Sequence, residues 1–242
     1  MAIWSELARA SNDAGDEILL RRRDDIYEIR YNGLELMSNV NYQSETVLAE
    51  RSLRLLERVP QRILIGGLGM GFTLKAALDC LPEQTKVTVC ELVPEIISWN
   101  QTSIGHLAGF PLSDPRVDVR TGDVMETLAQ SRNSYDLILM DTDNGPDFLV
   151  RNGNDTIYAQ SGLTTVDAAL TSGGIASFWS ATASASFEAL LDEMDYAWER
   201  HDICLIGGRS DAFHYIYFIT KEHPVISGIT KNDQTRRVEL AF

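Results

Sequence analysis

Arg62-Ile-Leu-Ile-Gly-Gly-Leu-Gly-Met-Gly71 is the stretch that decides the fold of this 242-residue chain. A short apolar run gives way to clustered glycines and then to a helix-forming segment, the order of a strand, a tight turn and a helix start. Glycines at such a turn let a ligand come close to the backbone and leave the first N–H groups of the helix free for it. About twenty residues further on, Glu91 closes the next apolar run, Val87-Thr-Val-Cys-Glu91, where a carboxylate can hold ribose hydroxyls. The dinucleotide fingerprint G-x-G-x-x-G does not fit, because Leu68 and Phe72 stand where it needs glycine. Gly67, Gly69 and Gly71 form G-x-G-x-G instead, a spacing typical of folds that bind S-adenosylmethionine (SAM), where no pyrophosphate needs a cradle. Gly66, Gly67, Gly69 and Gly71 are therefore candidate cofactor contacts. The plainer alternative is a glycine turn that only packs a helix against a sheet, and the acid at the right distance argues against it.

Downstream of residue 62 the pattern alternates regularly. Strands fit 62–66, 86–91, 116–120, 135–141 and 174–179, and helices fit 71–81, 94–104, 123–131, 161–171 and 185–198. Ile203–Ile206 and His214–Ile219 read as two late strands joined by a Gly/Ser/Asp turn. Strands alternating with helices predict a parallel sheet covered on both faces. Upstream, residues 17–38 read as short strands, with Asn32-Gly33 as a hairpin turn. Ser44 is the expected N-cap of a helix through Glu57 that Pro60 ends. The expected division is an N-terminal β-hairpin region, residues 1–43, and a SAM-binding α/β domain, residues 44–242. The polar last fifteen residues are expected to be loosely held.

Composition narrows the class. The apolar fraction is 44%, ordinary for a globular chain of this length. No run of about 18 apolar residues occurs, so no membrane span is expected, and Met1-Ala-Ile-Trp-Ser-Glu lacks the pattern of a secretory signal. Cys80, Cys90 and Cys204 lie far apart without a C-x-x-C spacing, so they read as buried reduced thiols of a cytoplasmic protein. The formal net charge of −14 argues against a nucleic-acid partner and suits a cationic small-molecule substrate, although solubility alone also accounts for it. The four histidines show no metal-ligand spacing, so no metal is expected.

In an open parallel sheet, ligands bind at the carboxyl ends of the strands where the strand order reverses. That rule gathers the glycine turn, Glu91 with Leu92, Gly122-Asp123-Val124 and Asp141 around one crevice. Asp123 can accept the adenine amine with Val124 beside the ring, or it can cap the helix that follows. Asp141 ends the apolar strand Tyr135-Asp-Leu-Ile-Leu-Met-Asp141, and Asp143 and Asn144 lie just beyond. Carboxylates at that mouth could orient and deprotonate an attacking amine. A turn rich in Asp, Asn, Gly and Pro for conformational reasons alone is the competing reading. The connection from 142 to 160 is long enough for a binding loop, and Tyr158 is a candidate wall or hydrogen-bond donor for substrate.

These residues resemble the spermidine synthase-like members of the class I SAM-dependent transferases. The resemblance rests on Ile63-Leu-Ile-Gly-Gly, Glu91-Leu-Val-Pro-Glu-Ile-Ile, Asp114-Pro-Arg-Val-Asp-Val, Gly122-Asp123 and Tyr135-Asp-Leu-Ile-Leu-Met-Asp-Thr-Asp. It implies a Rossmann-like class I methyltransferase fold, with a seven-stranded sheet whose last strand is antiparallel and a small N-terminal β domain often used for homodimerisation. It implies SAM or decarboxylated SAM as the cofactor, Glu91 and Asp123 as ribose and adenine ligands, and Asp141 as the base for the attacking amine. Gln43 stands near the family's cofactor-contacting Gln, and Asp143 near its second loop Asp. The chain departs from the polyamine enzymes at Gly69, where they carry an Asp that binds the cofactor's amine, and at Leu48 and Ala49, where they carry Tyr followed by Gln or His. The expected reaction is displacement at the sulfonium, by aminopropyl or methyl transfer, onto a small amine-bearing molecule, with no preference for the decarboxylated cofactor at Gly69. The alternative is a non-catalytic adenosyl-ligand-binding or regulatory protein.

Overall fold

The computed structural model describes residues 3–12, 15–142, 145–147, 154–205 and 212–220, with the backbone alone at 154–155 and 235–238. Four antiparallel strands come first: β1 (Ser5–Ser11), β2 (Glu17–Arg23), β3 (Ile26–Tyr31) and β4 (Leu34–Ser38), paired in that order. Asn32 and Gly33 both have positive φ, 48° and 80°, as a two-residue hairpin turn requires. β1 is absent from the sequence reading. Its residues, Ser-Glu-Leu-Ala-Arg-Ala-Ser, are largely exposed at the sheet edge and carry no strong alternation.

The helix α1 (Gln43–Leu55) leads into β5 (Arg62–Gly66), α2 (Phe72–Cys80), β6 (Lys86–Glu91), α3 (Pro94–Gln101), β7 (Val117–Thr121), α4 (Val124–Ala129) and β8 (Tyr135–Met140). There follow α5 (Gln160–Ala169), β9 (Leu170–Ser180), α6 (Ala185–Glu193), β10 (Ala197–Cys204), β11 (Phe213–Thr220) and β12 (Thr235–Val238). The large sheet runs β12-β10-β11-β9-β8-β5-β6-β7. β5 to β9 are mutually parallel, and β11 is antiparallel to both of its neighbours. The seven-stranded Rossmann-like sheet with an antiparallel last strand is therefore present. β12 adds an edge strand parallel to β10, so this part of the polar tail is paired.

Strand pleat sorts the core into two layers. Ile63 and Ile65, with Leu137 and Leu139, face a core shared with α1, α2 and the inner face of the small sheet, including Leu20 and Ile29. Leu64, Ile138 and Met140 face the opposite core with Leu163 of α5 and Phe187 and Leu191 of α6. Both faces of β5, β6 and β8 are thus buried, which is why they read as apolar runs, whereas the edge strand β7 alternates and is half-exposed. Asp136 is the polar exception in β8. Burial alone would raise its pKa, but the N–H groups of Arg62 and Gln61, the Thr171 hydroxyl and the Arg58 guanidinium hold it below the usual range. It ties the foot of β8 to the entry of β5, at the end of the sheet away from the glycine turn.

Several boundaries differ from the sequence reading. Ser44 is not a cap: Tyr42 is the N-cap, and Ser44 is buried inside the first turn of α1. The helix expected over 185–198 stops at Glu193, because Asp195 takes a left-handed φ of 56° and the Tyr196 N–H donates back to the Leu191 carbonyl at 3.1 Å. That closing bond is the Schellman pattern, and it frees Ala197 and Trp198 to start β10. Leu170 and Thr171, expected in a helix, open β9. Cys90 and Cys204 are buried as free thiols, but Cys80 at the end of α2 is exposed. The expected turn at 207–211 lies outside the described residues. No helix among the described residues is long and apolar enough to cross a membrane.

Candidate functional site

Three backbone hydrogen bonds knit the strand mouths together. The Gly67 N–H donates to the Cys90 carbonyl, the Asp141 N–H to the Gly66 carbonyl and the Gly122 N–H to the Glu91 carbonyl, at 2.8, 2.8 and 2.9 Å. Gly67 (φ 88°) crosses so close to β8 that a Cβ there would sit 2.0 Å from the Asp141 carbonyl oxygen. Only glycine fits that combination of conformation and approach.

Above these ends lies a cavity of about 300 Å³. Gly67, Gly69, Glu91, Leu92, Gly122, Asp123, Val124 and Asp141 all line it, so residues far apart in sequence converge. Gly66 and Gly71 do not line it. A Cβ at Gly66 would meet Val124, Thr142 and Met140, and one at Gly71 would meet Pro111 and Asn100, so these two glycines serve packing. Gln43 opens α1 and does not line the cavity. Tyr158 is buried in the lower core, edge-on to Phe187 at 5.6 Å between ring centroids, and its neighbour Ile157 reaches the cavity instead. Asp143 and Asn144 lie outside the described residues.

Glu91 is buried, and its carboxyl accepts the Leu68 and Val93 N–H groups at 2.9 and 2.8 Å. Burial raises its pKa, and these N–H groups oppose the rise. The Leu92 and Gly69 N–H groups also act on this carboxyl, which as an acceptor suits hydroxyl donors. Asp123 caps α4 by accepting the Met125 N–H at 2.8 Å while it also lines the cavity, so the cap in the sequence reading is real. Asp141 accepts the Thr73 hydroxyl of α2 at 2.6 Å; burial raises its pKa to about 6 and that hydrogen bond opposes the rise.

Apart from Trp179, which closes its strand at the same rim, the rest of the wall comes from residues that sequence reasoning did not select. Tyr31, Glu35, Leu36, Met37 and Asn41 reach over from the small sheet and its exit. The Met37 sulfur accepts the Met70 N–H at 3.0 Å and would lie 2.5 Å from a Cβ at Gly69. Glu45, Trp179 and His214 form the far side. Burial pushes Glu45 up to about 8, with the neighbouring Asp141 adding to the rise, and pushes His214 down to about 4. Glu35, Glu45, Glu91, Asp123 and Asp141 place five carboxylates on the cavity, and its described lining contains no Lys or Arg. The Thr142 hydroxyl, also on the wall, is buried with no hydrogen-bond partner among the described residues. Such a lining complements a ligand that brings hydrogen-bond donors and positive charge.

A glycine turn after the first strand of the large sheet, a strand-end acid after the second and an acid after the fourth define the Rossmann-like transferase class that works with SAM. The sequence model of the spermine/spermidine synthase domain matches residues 48–188, more than half of the chain, and the protein belongs to that family. The polyamine aminopropyltransferase of Bacillus mycoides (strain KBAB4) is 32% identical over 83 residues, covering 34% of this chain and 30% of that protein. That of Bacillus subtilis (strain 168) is also 32% identical over 83 residues, covering 34% and 29%. The alignments therefore span about a third of the curated relatives' length. The crystal structure of spermidine synthase from Thermotoga maritima superposes with a TM-score of 0.71 at 15% identity, covering 94% of this chain and 77% of that one, a likeness of fold.

Proposed function

We propose that this protein transfers a group from a SAM-type sulfonium to a small amine-bearing molecule. The observation that carries the reading is the acidic cavity at the strand mouths, with five carboxylates and no described Lys or Arg on its wall. Bound there, a sulfonium supplies an electrophilic carbon and a neutral thioether as leaving group. The residues of the chain do the rest. Glu91 holds the ribose, Gly67 and Gly69 give the backbone approach, and Asp123 with Val124 flanks the adenine. Asp141 orients the attacking nitrogen and accepts its proton, and its raised pKa makes it a better base than an ordinary Asp. The cavity acids attract the cationic acceptor and balance the charge of both partners. Neither a metal nor a nucleic acid has a part in this reading; a homodimer in the cytoplasm is the setting we propose for it.

The cofactor question has a direct test. Gly69 removes one acid from the turn, but Glu35 brings another that the glycine motif does not reveal, beside Asp123 and Asp141 on the same wall. Decarboxylated SAM lacks the carboxylate that these acids would repel, so calorimetry should find it bound at least about tenfold (1.4 kcal/mol) more tightly than SAM. Such a preference favours aminopropyl transfer, and tighter binding of intact SAM would turn the reading to methyl transfer. A second measurement tests the ribose contact. Glu91→Ala should weaken binding of 5′-methylthioadenosine by about 1.5–3 kcal/mol, because buried hydroxyls lose their acceptor. Equal affinity in a folded variant would remove Glu91 from the site.

A further inference from the structure

Three hydrogen-bonding partners meet at the hydroxyl of Ser44. The Trp179 Nε1–H lies 3.0 Å away, His214 Nδ1 2.8 Å and the Glu45 carboxyl oxygen Oε2 2.6 Å. Ser44 is buried, and Trp179 stands edge-on to the His214 ring at 4.6 Å between centroids. The elements involved are far apart in sequence: α1, the end of β9 and the start of β11. A hydroxyl has one proton to give and two lone pairs. Indole can only donate, so it takes one lone pair. One lone pair and one proton remain for Glu45 and His214, and they can be shared in two ways. If Ser44 donates to an ionised Glu45, its second lone pair must receive Nδ1–H, and the imidazole carries its proton on Nδ1. If Glu45 is protonated and donates to Ser44, the Ser44 proton must go to a bare Nδ1, and the imidazole carries its proton on Nε2.

We infer that the Ser44 hydroxyl ties the protonation state of Glu45, which shares the cavity wall with Asp141, to the tautomer of His214. Glu45 and Asp141 line the same cavity on different elements, and the Asp141 charge adds to the cost of ionising Glu45. The other titratable groups on that wall are Glu35 of β4, Glu91, Asp123, the Tyr31 phenol and the Cys90 thiol, with no described Lys or Arg among them. His214 stays neutral because burial opposes its charged form. In this arrangement Glu45 is a positioning residue: it senses the charge of Asp141 and passes its own state through Ser44 to His214. When Asp141 takes the proton of an attacking nitrogen, its charge no longer opposes ionisation of Glu45, and a Glu45 that gives its proton to solvent moves the imidazole from Nε2–H to Nδ1–H. The role in catalysis rests on the transferase reading, whereas the linkage itself does not.

The test is nitrogen NMR of the full chain labelled with ¹⁵N-histidine, with the His214 signals among the four histidines assigned by their loss in His214→Gln. Between pH 6 and pH 10 the ring should remain neutral and should move its proton from Nε2 to Nδ1 as pH rises, with a midpoint near the Glu45 value of about 8. In Glu45→Gln the same tautomer should persist across the range. Ser44→Ala, a small change inside a helix, provides the second variant, and there the ring should stop following Glu45. One tautomer throughout in the wild type, formation of imidazolium in this range, or an unchanged switch in Glu45→Gln would each overturn the linkage. Adenosyl binding is measured on the same sample by calorimetry. A switch without adenosyl binding would leave the linkage standing and sink the transferase reading; binding without a switch would do the reverse.

Discussion

Replacing Asp141 by Asn is expected to lower turnover about 10²–10⁴-fold, with melting temperature and adenosyl affinity close to wild type. Asn keeps the size of the side chain, and its carbonyl can still accept the Thr73 hydroxyl that Asp141 accepts at 2.6 Å. It cannot take a proton. The pH dependence gives an independent sign. The Asp141 pKa is raised to about 6, so below that pH the group is protonated and idle as a base, and turnover should climb as pH rises through that value. That limb should vanish in Asp141→Asn. Both quantities are read from one preparation with an amine acceptor and each cofactor form. Near-normal turnover would reject the base, and a large drop in melting temperature would instead make Asp141 a pin for the turn after β8.

Gly67→Ala should have the largest effect on stability, a loss of about 3 kcal/mol or more. Two costs combine there. The residue has a φ of 88°, which L side chains rarely adopt, and the added carbon would sit 2.0 Å from the Asp141 carbonyl oxygen. Backbone, not a flexible side-chain end, is in the way, so relief requires β5 and β8 to part at their mouths. Denaturant unfolding of wild type and variant measures the loss. A change under about 1 kcal/mol would show that the turn can shift off β8 without penalty. If enough folded variant survives, its adenosyl affinity should also fall, because the same displacement moves the backbone that borders the ligand.

The alternating core was legible because each buried strand is a short apolar run set off by Gly, Pro or Asp, and each crossover helix begins where such a run ends. β5 and β6 fall at 62–66 and 86–91, as the sequence reading places them. Edges were less legible. β1 is polar and exposed, so nothing in Ser5–Ser11 signals a strand except its partner β2. The α6 terminus depended on a left-handed Asp195, a conformation that any sequence pattern of helix formers conceals.

The site divided in the same way. Motif residues that line the cavity, such as Gly67, Glu91 and Asp123, sit at strand ends and are found by counting from the glycine turn. Glu45 and His214 cannot be found so. Ser44-Glu45 looks like the polar start of a helix, and its burial comes only from the docking of α1 against β9 and β11. His214 looks like one polar residue in an aromatic strand. Tyr158 erred in the opposite direction: a Tyr after a long connection suggests a binding wall, but the apolar lower core captures it.

The small sheet's hold on the glycine turn bears on how relatives can diverge. Gly69 has a φ of 52°, in the left-handed region where Asp and Asn are tolerated best after glycine, so the backbone there admits an acid. What stands in the way is the Met37 sulfur, 2.5 Å from where the Cβ would stand, the flexible end of a side chain that would have to swing aside. Positions 37 and 69 are therefore one evolutionary unit. A lineage that places charge on the turn must shorten or redirect the residue on β4, and one that keeps the Met37 side chain where it is keeps glycine. Across homologues the two columns should co-vary, large with glycine and small with aspartate, and drift between cofactor preferences should proceed through that pair before it touches the base at the mouth of β8.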